Sequence, residues 1–150
     1  MTGKLDKFLR LSFRQQMMLP EAFFLSAYYR FLILYKPFSK LSTKIGTLGY
    51  ETPSDAKNHR IVHEVRTVVE AVCRHTPWES KCLVRALTAK KMLNRRGCPC
   101  TLYMGVKQTD DGKLDAHAWL RYGDIFVTGG KGDGFAVTGI FGDENLSWIK

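Results

Sequence analysis

Two residues in this chain have the chemistry of a nucleophile and its base. Cys82 lies in Thr76-Pro-Trp-Glu-Ser-Lys-Cys-Leu-Val84, a segment that reads as the start of a helix. His117 lies 35 residues later in Leu114-Asp-Ala-His-Ala-Trp-Leu120, which reads as a strand. A thiol attacks an acyl carbon as its thiolate, and a free cysteine with a pKa of about 8.5 is mostly protonated at neutral pH. A helix N-terminus and an imidazolium both favour the thiolate, and the same imidazole can then protonate a leaving amine. Backbone N–H groups at the helix start can hold the oxyanion, and a third group should orient the ring. The remaining cysteines, Cys73, Cys98 and Cys100, fit neither a disulfide scaffold nor a zinc site: Cys98-Pro99-Cys100 is C-x-C with no second pair. They read as reduced thiols.

The helix that carries Cys82 has two possible starts. Thr76-Pro77-Trp78-Glu79 is a capping box with proline at the first helical position, which would put Cys82 in the second turn. A start at Ser80 would put Cys82 in the first turn, where free N–H groups act on a thiol. A short 3₁₀ turn over 76–79 reconciles the two. The helix closes at Asn94-Arg95-Arg96-Gly97, cations and then a C′ glycine. Strands follow at Thr101–Val106 and Lys113–Tyr122. In the second, Leu114, Ala116, Ala118 and Leu120 share one face, and Asp115, His117, Trp119 and Arg121 the other. Gly123-Asp124 predicts a two-residue hairpin with Ile125–Thr128 returning, which sets Thr128 opposite Trp119 and Gly130 opposite His117. A glycine-rich loop runs over 129–134, and Phe135–Phe141 is one more strand.

Upstream, a loosely amphipathic stretch spans 5–18, and Pro20 opens a helix that runs over Glu21–Tyr35. That helix is apolar nearly all round and reads as core, or as a docking surface for another protein because it holds so much Phe and Tyr. Lys36-Pro37-Phe38 breaks it; a short basic helix covers Ser39–Ile45, and Thr47–Asn58 reads as a loop. Ile61, Val62, Val65, Val68, Val69 and Val72 form one helical stripe. His59 and His63, one turn apart there, lack the further ligands a metal would need, and no cofactor is expected. Residues 1–58 read as a helical region with linker and 59–150 as the core of one compact unit, in the α+β class.

With 45% apolar and 25% charged residues, the composition is that of a globular chain rather than a disordered one. The excess of 23 Lys+Arg over 14 Asp+Glu favours acidic partners. No nucleic-acid motif accompanies it. The apolar region over 17–35 contains Pro20, Glu21 and Arg30, so no stable membrane span is expected, and no secretory signal is visible. A cytoplasmic location follows as the expectation.

Pro77-Trp78, Cys82-Leu83, Arg95-Arg96-Gly97, Met104-Gly105-Val106 and Ala116-His117-Ala118-Trp119 together resemble the transglutaminase-like fold. They look most like the stand-alone B2 leader peptidases of lasso peptide biosynthesis, with the aromatic helix, Lys36-Pro37-Phe38 and the basic stretch to Gly46 agreeing. The resemblance covers about residues 17–141. It implies N-terminal helices on a papain-like core, with a central catalytic helix against an antiparallel sheet. It also implies Cys82 as nucleophile, His117 as base, and a ribosomally made lasso precursor as substrate. Partners would be a separate leader-recognition protein of the B1 type and possibly the lasso cyclase. The family's aspartate is expected near Thr128-Gly129, where this chain has no carboxylate. Asp133, in the glycine loop, is the candidate and Asp115 the alternative; Asp124 is too distant. A dyad with a backbone or hydroxyl orienter remains open. The rival readings are acyl transfer to an amine, a non-catalytic partner that presents the peptide, and a basic surface-binding module.

Overall fold

The computed structural model describes residues 2–53 and 57–144. Five helices, α1 (Thr2–Arg10), α2 (Phe13–Tyr35), α3 (Phe38–Ser42), α4 (His59–Cys73) and α5 (Cys82–Arg95), pack with a five-stranded sheet. The strands are β1 (Thr47–Leu48), β2 (Thr101–Gln108), β3 (Leu114–Tyr122), β4 (Ile125–Thr128) and β5 (Ala136–Gly142). Their order is β1-β5-β2-β3-β4, antiparallel throughout. This is the expected α+β arrangement of helices against an antiparallel sheet.

The front helix begins earlier than its proline suggests. Ser12 caps α2: its Oγ accepts from Gln15 N at 3.2 Å, and Gln15 Oε1 accepts from Ser12 N at 3.0 Å. Pro20 therefore sits inside α2 instead of opening a helix. Its cost there is about 3 kcal/mol, and the helix runs on because Met18, Ala22, Leu25, Ser26 and Leu32 are buried on one side. Length and composition alone would let α2 cross a membrane, yet that side packs against α4 and α5. Four valines of the α4 stripe, Val62, Val65, Val68 and Val69, are at 0% exposure, and Ile61 and Val72 at its ends are partly buried against the core. This packing offsets the weak helix propensity of valine. Part of the expected linker, Ser54 and Asp55, lies outside the described residues.

One hydrophobic core joins α2, α3, α4, α5 and one face of the sheet, through Leu25, Leu41, Val65, Leu93, Leu102 and Leu120 among others. A buried polar cluster fixes the end of α5 to the sheet. Asp143 accepts from Lys90 Nζ at 2.6 Å, from Asn94 Nδ2 at 2.6 Å and from Cys100 N at 2.9 Å. Asp143 N donates to Thr52 Oγ1 at 2.9 Å, and Thr52 N to Thr101 Oγ1 at 2.9 Å. Lys90 and Asp143 are each 3% exposed. Asp143→Ala would leave an ammonium buried without its counter-charge, so the expected loss is about 3–5 kcal/mol. Urea unfolding measures it, and Lys90→Met/Asp143→Leu should regain part of that loss.

Candidate active site

Cys82 is the first residue of α5. The preceding residue, Lys81, is extended (φ −84°, ψ −170°) and supplies no side-chain cap. Thr76 caps its own turn instead: its Oγ1 donates to Trp78 O at 2.9 Å and shares a 2.7 Å hydrogen bond with Ser80 Oγ. The capping-box residues therefore do not start the helix, and 76–80 is irregular rather than 3₁₀. The outcome keeps Cys82 in the first turn, where backbone N–H groups have no helical acceptor.

The segment ahead of Cys82 is braced from α2. Trp78 packs on Phe23 with ring centroids 4.9 Å apart, and Glu79 pairs with Arg30 at 3.3 Å and Lys81 at 2.8 Å. The carboxyl of Glu79 is held below its usual range, chiefly by the hydrogen bond from Lys81. Behind Cys82, Arg85 Nε donates to Ser80 O at 2.9 Å.

The four thiols differ in access. Cys73, Cys98 and Cys100 are buried and Cys82 is partly exposed. Burial pushes the Cys73 and Cys98 thiols up, and that of Cys100 up to about 12. A thiol whose folded pKa is raised holds less thiolate at any pH below that value. Brief iodoacetamide treatment at pH 8 is therefore expected to alkylate Cys82 first, as read by peptide mass spectrometry, with the other three protected until denaturant is added.

His117 stands on β3 opposite Gly105 of β2. Its Nε2 lies 2.6 Å from Gly129 O. A carbonyl only accepts, so Nε2 carries the proton and Nδ1 of the neutral ring keeps a lone pair. The ring stacks on Trp119 at 5.9 Å and lies 5.0 Å from Phe135. The acceptor is placed by an irregularity between Leu120 and Arg121, where Thr128 comes opposite Leu120 and Phe126 opposite Arg121. The plain hairpin register, with Thr128 opposite Trp119, is thus displaced by one residue. The extra residue of a bulge shifts everything beyond it.

Gly129 and Gly132 let the following loop lie on Trp119. Gly129 has φ +75°, and a Cβ there would stand 2.4 Å from Ala118 O. A Cβ on Gly132 would stand 2.5 Å from the indole ring. Gly129→Ala is expected to cost about 1–3 kcal/mol and to shift the His117 ring resonances in an NMR spectrum, because the acceptor carbonyl must move.

Among the described residues no hydrogen bond joins the His117 ring to Asp133, the candidate orienter, or to Asp115, the alternative. Asp133 is exposed in the turn before Phe135, Asp115 is exposed on β3, and Asp124 is exposed in the hairpin. The main chain of Gly129 takes that place. A long glycine loop exposes Asp133 to water because the loop's close approach is spent on Trp119.

Among the described residues no hydrogen bond joins Cys82 to His117. The pleat sends Ala118, Leu120 and Tyr122 into the core shared with α4 and α5, and Asp115, His117, Trp119 and Arg121 to the other face. The strand that carries His117, β3, is the one with which α5 makes its widest sheet contact. Sequence reasoning missed Lys90 and Asp143 as a pair. The signal available was a lysine, Lys90, at core-facing spacing in a helix.

A family model described as the transglutaminase-like superfamily matches residues 25–140. No curated protein and no solved structure matches the chain.

Proposed function

The chain belongs to the transglutaminase-like superfamily, and on that premise we propose that it is a cysteine peptidase that removes the leader from a lasso peptide precursor in the cytoplasm. The observation that carries this reading is Cys82: the one partly exposed thiol among four, on the first residue of a helix without a side-chain cap. The joint motif around Pro77-Trp78, Cys82 and His117 supports the finer assignment.

In this reading Cys82 Sγ attacks the carbonyl carbon at the end of the leader. His117 Nδ1 takes the thiol proton and returns it to the departing amine of the core peptide. The N–H groups at the start of α5 hold the oxyanion. Water then attacks the thioester, giving the free leader carboxylate and restoring the thiol. Gly129 O keeps the proton on Nε2, so that Nδ1 is the basic nitrogen. Catalytic hydrogen bonds that are long in a free enzyme tighten when substrate binds, and this reading requires Cys82 and His117 to close on each other in that complex. A separate leader-recognition protein would deliver the precursor and the lasso cyclase would receive the core.

A second reading is favoured by one specific observation, the imidazole's position on the sheet face away from α5. There the protein presents the peptide without cutting it. Precursor cleavage, followed by intact mass with and without the recognition protein, separates the two. Cys82→Ala is expected to lower the rate by at least 10³-fold, on the scale of losing a covalent nucleophile. His117→Gln should lower it by about 10²–10⁴-fold, and products should carry one added water rather than the loss of ammonia. Cleavage by Cys82→Ala at the normal rate overturns the peptidase assignment.

A further inference from the structure

The side of α2 turned away from α4 and α5 is bare. Phe13, Met17, Phe24, Tyr28, Phe31 and Tyr35 are between 48% and 76% exposed. Their spacings of 4, 7, 4, 3 and 4 residues hold them on one face of the helix. At 1.5 Å per residue that makes an aromatic stripe about 33 Å long. The helix before it adds to the surface: on α1, Leu5, Phe8 and Leu9 are 62%, 41% and 63% exposed. Gln16 Nε2 ties the two helices together, donating to Leu11 O at 3.1 Å and Phe8 O at 3.4 Å.

Charge is gathered on the same elements. Residues 1–46 hold eight Lys or Arg against Asp6 and Glu21, which is six of the nine net positive charges of the chain. Glu21 is already engaged by Arg95 and Arg96 at 3.1 and 2.6 Å. Lys7 and Arg10 are exposed at one end of the stripe, and Lys36 and Lys40 at the other. Apolar aromatic rings along one line with cations at both ends match the boundary between acyl chains and anionic headgroups. A span is disfavoured, because the opposite side of α2 is buried in the domain.

We propose that α1 and α2 dock the protein flat on an anionic membrane surface, with the Phe13–Tyr35 stripe in the headgroup boundary and the flanking cations on lipid phosphates. This does not rest on the peptidase reading. A domain held on a bilayer by one face of α2 leaves its sheet uncovered by that contact.

Flotation of the full chain with vesicles tests it. Vesicles of phosphatidylcholine with roughly 30 mol% anionic phosphatidylglycerol, which carry a negative surface potential, are compared with phosphatidylcholine alone. The protein is expected to float with the anionic vesicles and at least tenfold less with the neutral ones. Phe24→Ser/Phe31→Ser should lower anionic binding at least tenfold. Lys36→Gln/Lys40→Gln should lower it by roughly fivefold per charge, with the neutral-vesicle signal unchanged. Circular dichroism melting confirms that each variant is folded, and the charge variant keeps the test open should the serine variant unfold. Failure to float with anionic vesicles overturns the proposal. Light scattering then assigns the stripe to a second copy if the chain is a dimer, or to a protein partner if it is a monomer. Equal binding by wild type and both variants overturns it as well.

Discussion

The carboxylate of Asp143 is the point on which the helical layer and the sheet are hung. Three donors from two elements converge on it: Lys90 and Asn94 from α5, and the N–H of Cys100 just ahead of β2. Its own N–H is taken by Thr52. A carboxylate buried among donors is tolerated because both of its oxygens accept hydrogen bonds, one of them from a cation, and the penalty of removing one partner is what makes the arrangement specific. The consequence lies at the other end of the helix. With its last turns tied to the starts of β2 and the end of β5, α5 has a fixed direction and register. Cys82 is its first residue, so the position of the thiol follows from contacts two to three turns away.

How far the letters reached depends on the range of the interaction. Ile125–Thr128 was readable because Gly123-Asp124 is local turn chemistry, and the alternation over β3 because each residue declares its own face. The valines of α4 were readable for the same reason. Pro20 misled because its local preference for a helix start lost to burial on both sides of it, at Met18 and Ala22. The end of the hairpin misled because a bulge depends on the neighbouring strand, and nothing in Phe126-Val127-Thr128 announces it. Lys90 and Asp143 were out of reach for a plainer reason. They stand 53 residues apart, and a charge at a core position looks like an edge position until its partner is seen.

At the candidate site the split is the same. Residue types nominated Cys82 and His117, and the first-turn position of the thiol was one of two starts the local signals allowed. Thr76 decided between them by turning its hydroxyl onto Trp78 O, which removed it as a helix cap. The ring's partner was not nominated by type at all. Any residue has a carbonyl, and only the bulge together with the left-handed Gly129 aims this one at Nε2.

A carbonyl in place of a carboxylate changes what the imidazole can do. Either acceptor fixes the tautomer, and so leaves Nδ1 as the basic nitrogen. A carboxylate also stabilises the imidazolium that forms when the base takes a proton, because it carries a full charge. The dipole of Gly129 O supplies less. In the proposed chemistry the deficit falls on the imidazolium formed when Nδ1 takes the thiol proton, and the thiolate then leans more on the N–H groups and dipole of α5. Tying α5 down at Asp143 matters most for such a site. A helix end can replace a missing charge only if it is held in one place, and the buried lysine–aspartate pair is what holds it.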